Sequence, residues 1–210
     1  MPDLYIITGS NGAGKSTIGP EYLPLEIKEK CFVFDGDKLF MQHKKHLWKK
    51  GLRAHKEIRN IAIEFVRQQF EDLVDNAIQR RNDFVYEGHF TNENTWSIPV
   101  RFKSEGYSIH LIFLGLANKE LSEQRVIDRS KEGGHYVDPD TIESNFFGNL
   151  LQLDRHFGIF NTIQIIDTSE TKHEGLCFLV NGRIGSSILK TELPTWFKDN
   201  LTGITELIIE

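Results

Sequence analysis

The sequence is poor in cysteine and in long apolar runs, and it has no excess of positive charge. Its 210 residues include two cysteines, Cys31 and Cys177, within apolar stretches, which indicates reduced core residues rather than a disulfide or metal site. No apolar run approaches the ~20 residues of a membrane span, and no signal peptide is visible at the N-terminus. The net charge of −5 argues against a protein that coats nucleic acid. We therefore expect a cytoplasmic protein with neither a membrane nor a nucleic acid as partner.

The first twenty residues carry the most informative pattern. An apolar run, Leu4–Thr8, leads into the segment Gly9-Ser10-Asn11-Gly12-Ala13-Gly14-Lys15-Ser16-Thr17, which matches the phosphate-binding pattern G-x-x-x-x-G-K-S/T. Glycines in such a loop let backbone N–H groups approach phosphate, and the lysine reaches the β- and γ-phosphates. The alternative is a glycine-rich turn that binds nothing. We predict a nucleoside triphosphate site formed by Gly9, Asn11, Gly12, Ala13, Gly14, Lys15, Ser16 and Thr17, with Ser16 as a ligand of Mg²⁺.

Short apolar runs alternate with helical patterns along most of the chain. This alternation predicts an α/β protein of the P-loop NTPase fold, with a parallel sheet of about five strands and helices on both faces. Helices are expected to begin at 15–19 and to cover about 55–81, and Asn94 or Thr95 is expected to cap one that ends near 105. The expected strands are Leu4–Thr8, Cys31–Phe34, Phe84–Tyr86, Tyr107–Leu114 and Ile163–Asp167.

The C-terminal segment has a different character. Asn181-Gly182 lies between two apolar runs and predicts the turn of a β-hairpin, and a short helix is expected near Pro194–Leu201. We expect a core of residues 1–170, with the hairpin and helix of residues 171–210 appended to the same domain.

Acidic residues follow the second and third predicted strands. Asp35 and Asp37 end the second strand, and Glu87 with His89 ends the third. Ligands of open α/β sheets bind at the carboxyl ends of strands, so these carboxylates are candidates for a general base and for Mg²⁺ binding. The alternative for Asp35 and Asp37 is an Asp-rich turn that caps a helix.

Two predicted helices, 118–131 and 139–156, are joined by a Gly-Gly loop. The first carries Arg125 and Arg129, which lie four residues apart and therefore on one face. Such a pair could form a mobile lid over the phosphates, at about 118–157. A plain helical hairpin with surface arginines is the alternative.

The order of these motifs over residues 4–167 resembles the zeta-toxin-like P-loop kinases. The most specific match is the segment Phe32–His43, which is similar to the family's Asp-x-Asp segment with a following Gln-His. Members of this family use ATP or GTP with Mg²⁺ to phosphorylate a hydroxyl of a small metabolite, in the best-known members a UDP-N-acetylamino sugar. The resemblance implies that the protein is a kinase with a small-molecule acceptor and an antitoxin-type inhibitor protein as a partner.

The resemblance also implies roles for individual residues. Asp37 corresponds to the catalytic base and Arg129 to the lid arginine that contacts the transferred phosphate, beside the P-loop Lys15. Glu71 precedes Glu87 by sixteen residues, the separation at which the family has a substrate-binding acid. Glu71, Glu87, His89 and His135 are therefore expected to bind substrate, and Ser16 and Asp35 to bind the metal.

The lid departs from the family pattern. His135, or a residue near it, stands where the toxins have a second lid arginine, and Ser144, Asn145 and Gly148 stand where related chains have arginines. Arg125 or Arg155 could supply the missing charge. Two other functions stay open on the sequence: an ATPase or nucleotide-dependent switch that acts on a protein partner, and a nucleotide-binding homologue without activity.

Overall fold

A single seven-stranded sheet organises the chain in this computed structural model, which describes residues 1–131 and 136–209. The strands lie in the order β2-β3-β1-β4-β5-β6-β7, and the first five are parallel. Strand β5 pairs antiparallel with β6, which pairs antiparallel with β7. The strand bounds are β1 (Asp3–Gly9), β2 (Val33–Asp35), β3 (Phe84–Glu87), β4 (Ser108–Gly115), β5 (Thr162–Asp167), β6 (Glu174–Val180) and β7 (Arg183–Ser187).

Eight α-helices surround the sheet in the described residues. Consecutive residues of β4, from Leu111 to Leu114, are all buried, so both faces of the central sheet are covered. Short 3₁₀ turns occupy Gly19–Tyr22, Glu93–Trp96 and Phe157–Ile159. The helices are α1 (Leu25–Lys30), α2 (Gly36–Lys49), α3 (His55–Arg80), α4 (Ser97–Ser104), α5 (Lys119–Lys131), α6 (Pro139–His156), α7 (Thr195–Asn200) and α8 (Thr202–Leu207).

Side-chain caps fix the start of helices α2 and α6. The Asp35 carboxylate accepts a hydrogen bond of 2.8 Å from the backbone N–H of Lys38 and so begins α2 directly after β2. The Asp138 carboxylate accepts from the backbone N–H of Thr141, and Pro139 occupies the first turn of α6. The capping interpretation of Asp35 is therefore correct, and it coexists with a position at the edge of the sheet where ligands bind.

The mixed α/β class is confirmed, but the sheet has seven strands rather than about five. The predicted hairpin is present, and its turn residues Asn181 and Gly182 both have positive φ, as a tight hairpin turn requires. It joins the main sheet because Leu176, Cys177 and Leu179 are buried and need a covered face. In the described part of the chain, no helix is long and apolar enough to cross a membrane.

Two local predictions are wrong. Residues 15–18 form turns rather than a helix, since the backbone N–H groups of Ile18 and Gly19 both donate to the carbonyl of Gly14 and a 3₁₀ turn follows. Pro20 lacks the N–H that a longer helix would need. The helical segment near residue 95 is capped by Asn92, whose side chain accepts from the N–H of Asn94, so neither Asn94 nor Thr95 is the cap.

Candidate active site

The phosphate-binding loop follows β1 and is shaped by close packing. Gly9 and Gly12 have φ values of 141° and 76°, which side-chain-bearing residues rarely adopt. A Cβ atom on Gly9 would lie 2.2 Å from the carbonyl oxygen of Leu114, and one on Gly12 would lie 2.8 Å from Cβ of Arg125. Glycine is required at both positions because neighbouring elements approach the backbone this closely.

Side-chain donors hold five consecutive carbonyl oxygens of the loop. A peptide group whose carbonyl is tied to the surrounding protein leaves its N–H side available to an anion, which is the geometry that cradles phosphate. The sequence analysis missed Ser122 and Thr168 in this role. The donors are Lys15 Nζ to Gly9 O (3.2 Å) and Ser10 O (3.0 Å), Ser122 Oγ to Asn11 O (2.5 Å), Arg125 to Gly12 O (3.3 Å) and Thr168 Oγ1 to Ala13 O (3.0 Å).

A cleft of about 370 Å³ opens over this loop. Four separate segments contribute to its wall: the loop itself, the β2–α2 junction, the end of β3, and α5. The structure therefore brings together most of the residues that the sequence singled out. Those that line the cleft include Lys15, Ser16, Asp35, Asp37, Glu87 and Arg129.

Lys15 is the electrostatic centre of the cleft. Burial lowers the pKa of its ammonium to about 8, although the nearby carboxylates of Glu87, Asp37 and Asp35 act in the opposite direction. The charge of Arg129 contributes to the lowering. The protein alone therefore does not fully stabilise the charged ammonium of Lys15. A bound anion would stabilise it.

Ser16, at the end of the loop, forms a polar wall of the cleft together with Asp35 and Glu87. Asp35 and Glu87 lie side by side on adjacent strands, and the Ser16 hydroxyl donates to Glu87 Oε1 at 2.8 Å. Burial, and then the charge of Asp35, raises the pKa of Glu87 to about 7. The second carboxylate oxygen, Oε2, is buried and has no hydrogen-bond partner among residues 1–131 and 136–209.

This wall suits a Mg²⁺ ion that is bound jointly by the protein and by nucleotide phosphates, rather than an ion held by protein side chains alone. The described residues contain no cluster of three or more His, Cys, Asp or Glu side chains that could hold an ion. Mg²⁺ in nucleotide sites keeps several waters and takes phosphate oxygens with one or two protein ligands. A hydroxyl beside two adjacent carboxylates, one with an unpartnered oxygen, matches that requirement.

Other predicted residues lie outside the cleft. Glu71 is on the surface of α3, where it accepts a hydrogen bond of 2.6 Å from Arg67, and it does not line the cleft. His89 is buried and contacts Asn149 on α6. His135 lies outside the described residues. Of the two arginines proposed to replace the missing lid charge, Arg125 lines the cleft and Arg155 does not.

A second pocket, of about 310 Å³, adjoins the cleft and shares Glu87 with it. Four aromatic side chains line it, together with Arg67 and His89. The pocket was not foreseen, because its aromatic residues come from β2, α3 and β3 and their neighbourhood, which are far apart in the chain. Phe34 and Tyr86 were expected only as residues of buried strands. They are Phe34, Phe70, Tyr86 and Phe90.

Helix α6 is fastened to the phosphate-binding loop by two asparagines that sequence reasoning missed. Asn145 donates to the side-chain oxygen of Asn11 at 2.8 Å, and Asn149 accepts from Thr8 at 3.1 Å. The partners are more than 130 residues apart in the chain, so no local pattern could indicate the contacts. The second of the predicted lid helices is thus attached to the sheet end rather than standing away from it.

The fold is that of a P-loop kinase-type protein. The family profile described as Zeta toxin matches residues 1–173. The chain therefore belongs to the Zeta toxin family, as the sequence resemblance predicted. No curated protein matches the sequence.

Solved structures give the same fold at low sequence identity. A chain of the PezAT chromosomal toxin-antitoxin system of Streptococcus pneumoniae has a TM-score of 0.64 and 21% identity, with coverage of 99% of this chain and 78% of that one. A chain of the AvrRxo1-ORF1:AvrRxo1-ORF2 complex with ATP has a TM-score of 0.69 and 16% identity. The match covers 96% of this chain and 64% of that one, so this chain spans less than two thirds of its length.

Proposed function

We propose that the protein transfers the γ-phosphoryl group of ATP or GTP to a hydroxyl of a small metabolite. A UDP-N-acetylamino sugar is the acceptor to test first, on the family resemblance. The observation that carries the proposal is the single cleft lined by Lys15, Asp37 and Arg129, which unites a phosphate-binding lysine, a carboxylate and a second cation. The ATP present in the AvrRxo1-ORF1:AvrRxo1-ORF2 complex supports ATP as the donor.

The loop binds the nucleotide in this proposal. Backbone N–H groups of residues 12–16 and the ammonium of Lys15 contact the phosphates, and anion binding restores the charged form that burial disfavours. Ser16 would hold Mg²⁺, and Asp35 or Glu87 would bind it through water. The ion would neutralise charge on the phosphate oxygens.

Asp37 accepts the proton of the attacking hydroxyl. The hydroxyl oxygen forms a bond to the γ-phosphorus as the bond to the β–γ bridging oxygen breaks, so the products are the phosphorylated acceptor and a nucleoside diphosphate. Arg129, which lines the same cleft, neutralises the charge that develops on the transferred group. An arginine in this role contributes on the order of 10³-fold or more to the rate.

The aromatic pocket beside Glu87 is the proposed acceptor site. It shares Glu87 with the nucleotide cleft, so an acceptor held there lies next to the transferred phosphoryl group. His89 and Glu87 supply polar contacts, and His135 stays a predicted substrate ligand. Glu71 does not line the pocket, but its ion-pair partner Arg67 does. To bind an acceptor there, Glu71 would give up its ion pair with Arg67.

An antitoxin-type inhibitor protein belongs to this proposal as a partner. Its support is the toxin-antitoxin system named for the Streptococcus pneumoniae structure. A transfer assay with purified protein therefore needs to be free of any co-purified chain.

The test is a phosphoryl-transfer assay with Mg²⁺ and ATP or GTP. A panel of UDP-amino sugars, nucleosides and free sugars would be incubated with the protein, and product masses would be read. The expected result is an acceptor that gains one phosphoryl group as ADP or GDP forms. Nucleoside diphosphate formation without a phosphorylated acceptor across the panel would favour an ATPase switch, and tight binding without turnover would favour an inactive homologue.

A further inference from the structure

Residues 38–56 form a strongly positive segment, which we call the basic arm. The arm covers most of α2, the connection to α3 and the first residues of α3. It contains seven lysines and arginines, three histidines and no aspartate or glutamate, although the whole chain has 30 acidic and 25 basic residues. The net charge of −5 is therefore an average that includes one positive surface. The seven cations are Lys38, Lys44, Lys45, Lys49, Lys50, Arg53 and Lys56.

The cations of the arm have no acidic partners. In the described part of the chain, none of the seven forms an ion pair with a carboxylate. Surface cations elsewhere do form such pairs, as Arg101 does with Asp75. Lys45 and Lys49 lie four residues apart on α2, and like charges at this spacing destabilise a helix. The arm therefore carries a repulsion that an anionic partner would relieve.

The far end of the arm lies too far from the cleft to act on the nucleotide. Lys38 lines the cleft at the start of α2, whereas Lys49 is the last residue of this helix. At a rise of 1.5 Å per residue, the helix places these two positions about 16 Å apart along its axis. The Debye length at physiological ionic strength is about 8 Å, so exposed charges at this separation are largely screened from each other. The far cations therefore call for a ligand other than the nucleotide.

The tip of the arm, residues 48–56, also presents an aromatic ring. Trp48 is 45% exposed, whereas Trp96 and Trp196, the other two tryptophans of the chain, are buried. The Arg53 guanidinium lies 4.6 Å from the centroid of the Trp48 ring and donates to the Trp48 carbonyl at 2.7 Å. The His55 ring lies 5.6 Å from the same ring. Tryptophan and arginine are enriched among the residues that contribute most to protein–protein binding.

These contacts favour one kind of anionic partner. A nucleic acid base stacks on a free aromatic face, but Arg53 and His55 already pack against the Trp48 ring. A bilayer takes up the apolar side of an amphipathic helix, but α2 packs on α3, where the His43 ring stacks on Phe65 at 3.9 Å. An acidic protein needs neither a free ring face nor a free apolar side. Its carboxylates would contact the lysines, and its apolar side chains would contact the exposed part of the indole.

We propose that the basic arm is a docking surface for a partner protein with an acidic face. Carboxylates of the partner pair with Lys45, Lys49 and Lys50, and an apolar side chain covers the exposed part of Trp48. The proposal does not rest on the proposed function, because the tip of the arm lies outside the cleft lining and its binding can be measured without nucleotide or acceptor.

The first test compares three anionic probes on the full chain at physiological salt. They are a synthetic peptide of glutamates interspersed with leucines, a single-stranded oligo-dT of equal charge, and vesicles that contain phosphatidylserine. Trp48 is the exposed tryptophan, so acrylamide quenching of tryptophan fluorescence reports whether the arm is covered. The peptide is expected to protect Trp48 from acrylamide and to bind at least about tenfold more tightly than the other two probes. No binding of the peptide, or tighter binding of oligo-dT or vesicles, would overturn the proposal.

The second test reverses charge on the arm. Lys45→Glu with Lys49→Glu is expected to weaken peptide binding about tenfold or more, and the melting temperature should not fall because like-charge repulsion is removed. Lys30→Glu with Lys172→Glu is the matched control, since it makes the same change in net charge at two exposed lysines outside the arm. The control should keep the affinity of the unsubstituted protein. An equal loss in both variants would show that net charge, and not the arm, determines binding.

The third test separates the indole contact from charge. Trp48→Ala is expected to weaken binding of the peptide about tenfold by calorimetry and to leave oligo-dT binding unchanged. Phe147→Ala, at an aromatic residue of α6 with the same 45% exposure, is the control and should bind the peptide as the unsubstituted protein does. Unchanged peptide affinity in Trp48→Ala, or an equal loss of oligo-dT binding, would overturn the assignment of the tip to a protein partner.

Discussion

Two regions of the molecule contrast in how they treat buried polar groups. Around the carboxyl ends of β1, β3 and β5, four buried polar atoms have no hydrogen-bond partner among the described residues, namely Ser10 Oγ, Glu87 Oε2, His89 Nε2 and Ser169 Oγ. The C-terminal elements β6, β7, α7 and α8 instead bury apolar side chains such as Phe197, Leu201 and Ile204. Unmet polar atoms are costly in a stable core, so their concentration at one edge marks the place built for a ligand.

The largest expected effect is at the cleft. Lys15→Met removes the ammonium that contacts the phosphates, and we expect transfer to fall by about 10²- to 10³-fold, as for other pre-organised donors. The melting temperature should change little, because loss of a destabilised ammonium offsets loss of its bonds to Gly9 and Ser10. Lys119→Met, which removes an exposed ammonium paired with Glu143, is the control for both measurements. Retained transfer in Lys15→Met would break the contrast between the two regions.

The opposite pattern is expected in the C-terminal elements. Ile204 is fully buried in α8, so Ile204→Ala should lower the free energy of unfolding by about 2–5 kcal/mol in a denaturant titration. Transfer per folded molecule should be unchanged, since this helix contributes nothing to the cleft lining. Leu207→Ala, on the same helix but 39% exposed, should cost clearly less. Equal costs for the two variants would show that α8 is not packed as described.

An intermediate effect is expected where α6 meets the loop. Asn145→Ala removes the hydrogen bond to the Asn11 side chain, and a bond of this kind contributes about 1 kcal/mol. We expect a few-fold weaker nucleotide affinity by calorimetry, with little change in melting temperature. Ser144→Ala, one residue earlier on an exposed position, is the control. Unchanged affinity in Asn145→Ala would mean that the α6 contact does not shape the loop.

The smallest effect concerns pH and lies away from the cleft. His110 stacks on Tyr5 and contacts Thr162 at 2.7 Å and Asp3 at 3.4 Å. Burial lowers its pKa, although Asp3 opposes the shift. The unfolded chain therefore binds a proton first, and stability is lost as the pH falls below about 6.5.

His110→Gln should remove this contribution and make the decline of melting temperature between pH 7 and 5 slightly shallower. The measurement is a series of thermal melts against pH for both proteins. A steeper decline in the variant would contradict the assigned direction of the shift.

Local patterns predicted the parts of the site that directly follow a strand. The loop at residues 9–17 and the acids at 35, 37 and 87 follow buried strands, and parallel strands bring their carboxyl ends to one edge. The family resemblance was found in the same segments. These features needed no knowledge of packing.

The remaining features depend on tertiary contacts. Ser122, Thr168 and Asn149 each bond to residues more than 50 positions away, and a lone serine, threonine or asparagine on a helix or loop gives no signal of such a contact. The strand count was underestimated for the same reason, because the pairing of β6 with β5 depends on which face is covered. The ion pair of Glu71 with Arg67 is different, because it is a local i,i+4 contact that helical spacing indicates.

The most direct measurement compares Asp37→Asn with Asp140→Asn in transfer and in nucleotide binding. Both residues lie in the first turn of a helix, but Asp37 lines the cleft and Asp140 is exposed. The account predicts that Asp37→Asn loses most of its phosphoryl transfer and still binds nucleotide, and that Asp140→Asn keeps both. Transfer that survives in Asp37→Asn at the rate of the control would contradict the assignment of this cleft as the site of proton removal.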